Sequence, residues 1–592
     1  MTSFCVVVPG AGATFGADAQ AAVAAAMSRP VHAECVSALR GGALVAQGSH
    51  PSLPGRREPL SLDGVQWLVG GIRLDEPQSL RAALAAHGVT VPTDTEDAML
   101  AWHAHRLWGA ECISRLRGDF AFAVWDERTH SLFAARDHLG IGQCYHASPS
   151  GAGSIAVAGS IAPLRALPGV RAVLDEGAIG EFLVLGQVHD SSATAFLDVR
   201  ALAPAHVLCY AESHVRVSAY WSIAHVATNH AGTPRELGLQ FRALLEESCR
   251  DRLRDVSSAA LLLSGGRDSP AVAVAARFAM GDAFPLSAWT FDSGDSRDEE
   301  PPLAAIVARG LGMRHEVRLV DTEVFASWSD RSHPRDIPVD RWLGTASLDA
   351  MREIARESPV VLTGYGGDAL LRETVSHLAR LLRSGQWVRA GREGLAYASL
   401  HRRIPRPGFR SLRRLREPAP VEIPHWLDRT FVERTSLRDR LARGAARDYD
   451  RHTRRPEASF HLANPIWPRL AESLAPAETG IPLLARHPLL DLRLVEFVLG
   501  VAPVQWYNDK GLVTAGFSGS LGGEILHRPK TPAADVALPV SGVARVSVLD
   551  AVRFVASPAD VPQLRPTDDE ANAVVRRLYS LAAWMAAEGL SG

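Results

Sequence analysis

The residues best suited to chemistry in this chain are Ser264-Gly265-Gly266-Arg267-Asp268-Ser269. They follow an apolar run at 259–263, which predicts a buried strand, and precede another at 271–278, which predicts a helix. A strand, then a glycine-bearing turn with hydroxyls and a carboxylate, then a helix start is a design suited to phosphate. Glycines let the backbone approach an anion, and the N–H groups of the turn and helix N-terminus face it. Asp268 would repel that phosphate unless a divalent cation stood between them, which makes it a candidate Mg²⁺ ligand. The spacing is neither Gly-x-x-x-x-Gly-Lys-Ser/Thr nor Gly-x-Gly-x-x-Gly. The bland alternative is a tight strand-to-helix turn without a ligand.

The surrounding pattern must hold that loop in place. Thr233-Pro234-Arg235-Glu236 is a capping box with proline at the first helical position, followed by Leu237, Phe241, Leu244 and Leu245 at helical spacing. Strands predicted at 286–291 and 360–363, and a helix at 303–311, alternate as in a doubly wound α/β domain. Ligands of such sheets bind at the carboxyl ends of the strands. Those ends carry 264–269, 292–294 and 363–368, three polar glycine-bearing turns converging on one nucleotide site. Before residue 223 the chain reads differently, with short strand-like runs at 4–8, 66–69, 120–125, 131–135 and 207–210 separated by Gly, Pro and Asp turns. Two domains are expected, a β-rich layered one at 1–222 and an α/β one at 223–592.

Composition narrows the class. At 592 residues the chain exceeds one core. A formal net charge of −2 supplies no global field toward nucleic acid or a membrane surface, so neither partner is expected. The start lacks the cationic and long apolar stretches of a signal peptide, and no apolar span approaches twenty residues. The six cysteines are scattered without a Cys-x-x-Cys pair, which argues against a zinc site or disulfide framework and suits a reducing cytoplasm. Of 63 basic side chains only two are lysine, Lys510 and Lys530. Where arginine has replaced lysine elsewhere, a surviving lysine either marks a place needing a compact ammonium or survives by chance, and both are candidate catalytic residues. Residues 401–455 hold 16 arginines against 7 acidic residues, either a solvated face or a docking surface for an acidic peptide or protein segment.

The chain also resembles a known family across most of its length. Ser264–Ser269 is similar to the pyrophosphate loop of ATP pyrophosphatases, which activate carboxylates as acyl-adenylates. Leu116-Arg117-Gly118-Asp119-Phe120-Ala121-Phe122-Ala123-Val124-Trp125-Asp126, then Ala135-Arg136-Asp137-His138-Leu139-Gly140-Ile141 and Tyr220-Trp221, resemble the glutaminase-type domain of class B asparagine synthetases. Gly364-Tyr365-Gly366-Gly367-Asp368, His487-Pro488-Leu489-Leu490-Asp491-Leu492-Arg493 and Arg528-Pro529-Lys530 follow in that family's order. The resemblance implies an N-terminal Ntn-hydrolase-like domain of the class II glutamine amidotransferase type. It also implies a C-terminal ATP-pyrophosphatase-type domain using ATP and Mg²⁺. ATP would lie against Leu263 and Ser293, with Ser264, Gly265, Gly266 and Ser269 on its phosphates and Thr363 and Gly364 touching the nucleotide. Asp268 and Asp368 would hold the metal, and Lys530 would stabilise departing charge. His487, Asp491 and Arg493 are expected to buttress the fold.

Departures from the family carry the functional expectation. Glutamine-hydrolysing members expose a cysteine as residue 1 after loss of the initiator methionine, and that cysteine's own amine serves as base. Here Thr2, an alternative N-terminal nucleophile, follows Met1, and the first cysteine is Cys5. The family's Asn-Gly-Glu segment resembles Gly70-Gly71-Ile72, so a side-chain oxyanion donor worth roughly 3 kcal/mol is missing. A degenerate glutaminase domain is expected, and the amine must come from elsewhere. Tyr365 stands where asparagine synthetases usually have an acidic residue and where β-lactam synthetases have tyrosine. A tyrosine with a pKa of about 10 needs a carboxylate partner to act as base, for which Glu393 and Glu373 are candidates; the alternative is a pocket wall. The Gly-Gly-Asp ending at Asp368 and the added length at 371–480 resemble the lasso-peptide (macrolactam) cyclases. The expected reaction is ATP-dependent isopeptide formation in a precursor peptide, with a leader-cleaving protease as a further expected partner. An asparagine synthetase-like amide ligase, a β-lactam synthetase and a non-catalytic scaffold are the alternatives.

Overall fold

Side chains along the strand Ser3–Val8 alternate between two cores, and that alternation generates the first domain. Phe4, Val6 and Val8 enter one cluster, while Cys5 and Val7 enter another on the opposite face. The computed structural model describes residues 3–10, 16–28, 34–149, 153–226, 230–292, 294, 298–319, 338, 345–371, 376–410, 413, 421–445, 455–501, 510–528, 554, 569–587 and 590.

Two antiparallel sheets stack face to face in the first domain. A six-stranded sheet runs in the order Glu34–Arg40, Ala43–Ser49, Ser3–Val8, Ile155–Ala158, Tyr145–Ala147, Val199–Ala201. A five-stranded sheet runs His214–Ala219, His206–Ala211, Ser131–Arg136, Gly118–Asp126, Gln66–Leu74. The strand Gly118–Asp126 explains the close stacking. It sends small Ala121 and Ala123, with Trp125, between the sheets, and Phe120, Phe122 and Val124 outward under the helices Pro77–Ala86 and Asp97–Trp108. The outer face of the other sheet is covered by the helices Ala17–Met27 and Glu176–Leu185. This is the four-layer, Ntn-like arrangement expected. Sequence did not anticipate that Trp426, Phe431, Leu437 and Leu441, and Leu578, Leu581 and Trp584 of the helix Asp569–Ala587, complete that outer layer.

The second domain carries a five-stranded sheet whose neighbours all run parallel, in the order Arg314–Leu319, Leu286–Asp292, Ala259–Leu262, Val360–Leu362, Leu484–Arg486. Chain order reverses direction between Ala259–Leu262 and Val360–Leu362, the switch point where such sheets open a crevice. Ala260 pairs with Val361 and Leu261 with Leu362, so the loops leaving these two strands emerge side by side. The capping box at Thr233 and Glu236 forms and starts the helix Pro234–Leu253.

A buried ion network joins the domains. Arg252, on that helix, donates to Asp75 of the first domain at 3.2 Å and to Asp491 at 2.9 Å. Arg73 bridges Asp75 and Asp119 at 2.7 and 2.8 Å, and Arg493 bridges Asp491 and Asp251 at 2.7 and 2.8 Å. Asp491 also caps the helix Leu492–Gly500 through the Arg493 N–H. Asp491 and Arg493 therefore buttress the domain junction. All six cysteines are free thiols. Among the described residues no helix is long and apolar enough to cross a membrane.

Candidate active site

The nucleotide loop is built by its own hydroxyls. Leu263 extends the central strand by one residue, its N–H donating to Trp289 O at 2.8 Å and its carbonyl accepting from Thr290 Oγ1 at 2.8 Å. The Ser264 N–H donates to Ser269 Oγ at 2.9 Å, the two serine hydroxyls are 2.9 Å apart, and the Gly266 N–H donates to Ser264 Oγ at 3.3 Å. These bonds fold 264–269 over the start of the helix Asp268–Met280, placing the loop amides at its positive end. Arg528 Nη1 donates to Gly265 O at 2.9 Å and ties the loop to the far end of the domain.

The neighbouring strand supplies the opposing turn. Thr363 donates its N–H to Arg486 O at 3.1 Å, and its hydroxyl shares a 2.7 Å bond with His487 Nδ1 and accepts from the Tyr365 N–H at 3.2 Å. The Tyr365 and His487 rings stack at 5.6 Å with an interplanar angle of 17°. Burial pushes His487 down to about 4, so its imidazole is neutral at physiological pH. The turn and the loop touch at Gly367, where a Cβ would stand 2.3 Å from Asp268 Cγ. Only glycine lets the Asp268 side chain lie against this turn.

Asp268, Asp368 and Lys510 meet there. Lys510 Nζ lies 2.5 Å from Asp268 Oδ2 and 2.9 Å from Asp368 Oδ1. Asp268 Oδ1 is buried without a hydrogen-bond partner among the described residues. Burial raises the Asp268 carboxyl above its ordinary value, with Lys510 opposing and the Asp368 charge adding to the rise. An orphaned carboxylate oxygen beside a second carboxylate fits a hard divalent cation. No group of three or more His, Cys, Asp or Glu that could hold a metal occurs among the described residues. Mg²⁺ would therefore take its remaining ligands from phosphate oxygens and water, as it commonly does.

The structure thus brings together Leu263, Ser264, Gly265, Gly266, Asp268, Ser269, Thr363, Gly364, Tyr365, Asp368 and Lys510. Ser293, Lys530 and Glu373 lie outside the described residues. Lys530 is the lysine that the resemblance assigns to departing charge; within the described residues the lysine among the carboxylates is Lys510. Lys510 holds φ +45°, a left-handed conformation uncommon for a side-chain-bearing residue and typical of strained functional positions. Glu393, proposed as the partner of Tyr365, accepts instead from His377 at 2.5 Å and Arg389 at 2.8 Å. His487, which the motif places as a fold buttress, forms one wall of the site. Its signal was present in its motif, but its stacking partner lies 122 residues away in the chain.

The first domain keeps a hollow. A cavity of about 590 Å³ is lined by Ser3, Gly70, Gly71, Asp119 and Tyr145, and extends to His487. Cys5 does not line this cavity: it is fully buried in the cluster with Val7, and burial pushes its thiol far up. At Gly70, where the resemblance expects asparagine, φ is +125° and a Cβ would stand 2.3 Å from Ala121 O. The backbone excludes any side chain there. The Gly70 N–H donates to Gln47 Oε1 at 3.0 Å.

Comparison with known proteins agrees with this architecture. The family model described as asparagine synthase matches residues 240–553, and that described as a glutamine amidotransferase domain matches 62–221. Asparagine synthetase 3 (glutamine-hydrolyzing) of Bacillus subtilis is 24% identical over 477 residues, covering 77% of this chain and 73% of its own length. A putative glutamine-hydrolyzing asparagine synthetase of Mycobacterium tuberculosis is 31% identical over 297 residues, 48% of this chain and 44% of its own length. Amidase chyE of Penicillium rubens is 28% identical over 309 residues, 49% of this chain and 44% of its own length.

Proposed function

Because the chain belongs to the asparagine synthase family, which makes it an ATP-dependent carbon–nitrogen ligase, we propose that it joins an amine and a side-chain carboxylate of one peptide, closing a macrolactam. The carrying observation is Gly70. A backbone that admits no Cβ at Gly70, in the segment that resembles the family's Asn-Gly-Glu, with Cys5 sealed in the core, supports a glutaminase domain retained for its fold. Without ammonia from glutamine, the nucleophile is an amine that the substrate itself carries.

In this reading ATP is co-substrate. A peptide carboxylate attacks the α-phosphorus and pyrophosphate leaves. The N-terminal amine of the same peptide then attacks the acyl carbon, AMP leaves, and the amine proton passes to a base. The amides and hydroxyls of 264–269 bind the phosphates, and Asp268 and Asp368 would hold Mg²⁺. That ion, when bound, supplies charge neutralisation at the phosphate oxygens. Lys510 carries the compact positive charge that offsets negative charge as it develops. Tyr365, stacked on His487, walls the acceptor side. Holding amine and acyl group together is worth roughly 7–11 kcal/mol, and water must be excluded from the activated acid. A cytoplasmic setting and a leader-cleaving protease belong to the same proposal.

The test is incubation with ATP, magnesium and peptides carrying a free N-terminus and an internal Asp or Glu. The expected product is the peptide less one water, with AMP and pyrophosphate released. Glutamine-dependent conversion of free aspartate to asparagine, the activity in the names of the bacterial relatives, overturns the reading; so does release of ADP and phosphate.

A further inference from the structure

The helix Trp387–His401 presents an outer face that a solvated helix does not need. Trp387, Val388 and Leu395 are 67%, 81% and 73% exposed, followed by Ile404 at 91% and Phe409 at 49%. Trp387, Gly391 and Leu395 recur every fourth residue, so they share one face with Val388 and Arg392. A Cβ at Gly391 would meet nothing within 4 Å, which leaves an open notch between the Trp387 and Leu395 side chains. Clustered exposed apolar side chains on one helix face and the segment after it point to an interaction site.

Charge along this helix and the segment that follows it is mostly of one sign. Residues 387–410 contain six arginines and a single acidic residue, Glu393. Glu393 is withdrawn from the outer face, bonded to the buried His377 of the helix Ser376–Arg383 and to Arg389. Arg392, Arg402, Arg403, Arg406 and Arg410 form no ion pair among the described residues and reach solvent. The Glu393–His377 bond and buried Ala390 anchor the helix by its inner side, so the outer side stands free on a fixed support.

We infer that this face docks an acidic flank of the peptide substrate, with large apolar side chains entering the Trp387–Gly391–Leu395 notch and carboxylates meeting the five arginines. The assignment rests on the peptide-substrate reading above. Charge complementarity selects an acidic occupant, and the notch selects one bearing apolar side chains. The chain from Asp368 to Trp387 bounds the separation of the two sites at about 45 Å, a span that roughly fourteen extended residues cover.

The test uses the full chain and a short fluorescein-labelled peptide composed of Asp, Glu, Leu and Phe, followed by anisotropy. Binding should saturate, weaken with added salt, and fall at least about tenfold in Arg402→Glu/Arg403→Glu/Arg406→Glu and in Trp387→Ser/Leu395→Ser. Melting temperature and ATP binding should not change in either variant. Should the triple variant fail to fold, Trp387→Ser alone, at a 67% exposed position, decides by the same loss of binding. Equal binding in the variants, equal binding of a peptide with Lys replacing Asp and Glu, or retention by phosphatidylserine vesicles without peptide binding overturns the docking surface and leaves the proposed reaction standing. Conversion of free aspartate alone overturns the proposed reaction, and with it the substrate-flank assignment, whatever the probe does.

Discussion

Lys510 Nζ lies 2.5 Å from Asp268 Oδ2, although 242 residues separate them along the chain. One of only two lysines in the sequence thus neutralises the carboxylate that closes the nucleotide loop. With Asp368 2.9 Å from the same ammonium, three charges meet at one point. Lys510→Arg retains the charge but brings a broad planar fork. Adenylation should fall about 100-fold or more, with Lys510→Ala no worse than a further tenfold. Pyrophosphate exchange into ATP measures this, and near-normal exchange in Lys510→Arg would show that charge alone suffices.

Asp268→Asn and Asp368→Asn should each remove magnesium-dependent ATP affinity while leaving the fold intact. In Asp268→Asn an amide replaces a carboxyl already raised by burial, so the melting temperature should hold or rise. Calorimetric titration of ATP with and without magnesium checks both halves. Affinity that stays magnesium-dependent in both variants would exclude these residues as its ligands.

Gly70→Ala should destabilise the first domain. Its Cβ would meet the Ala121 carbonyl at 2.3 Å on a backbone with φ +125°. A cost of about 2–4 kcal/mol is expected from strain and overpacking together. Thermal unfolding reads it, and an unchanged melting temperature would mean that the strand relaxes freely.

Arg252→Leu should cost about 3–5 kcal/mol, because it leaves Asp75 and Asp491 buried with their shared cation gone. Arg252→Lys should recover only part, since one ammonium cannot span the sites the guanidinium fork reaches. Urea denaturation of the three forms checks the order.

Stability should fall as pH drops through the range from about 6.5 to about 4. Burial holds His105, His146 and His487 at about 4 and His138 at about 3, below the ordinary 6.5. The unfolded chain therefore takes up protons first, and stability present above 6.5 is lost toward the folded values. Asp137, raised by burial to about 6 from 3.8, works in the opposite sense, as do the raised Asp97, Asp268, Glu300 and Glu496, while the lowered His103, His315 and His377 add to the histidine side. Urea midpoints at pH about 7.5 and about 5 measure the net slope, and an equal or higher midpoint at the lower pH would contradict it.

Local order was legible where one face or one loop sufficed to specify it. The capping box at Thr233, the loop at Ser264–Ser269 and the central strands are set by neighbours within a few residues, and all formed. The edge strand Arg314–Leu319 escaped notice because it is half-exposed and polar, and Leu484–Arg486 because three residues carry no period. Both are strands only because a buried partner offers them its unpaired backbone groups.

By itself the amino-acid sequence determined the glycine-bearing strand-to-helix loop, the two-domain plan and the paired glycines at 70 and 71. Those features are written in residue type and short spacing. Only the tertiary structure decided that Lys510 joins the two carboxylates, that His487 stacks on Tyr365, and that Glu393 turns inward to leave a cationic outer face. Each depends on where a sheet crossover or a helix packing brings distant segments together. Sequence spacing does not encode such distances, because they are selected by burial of the whole core.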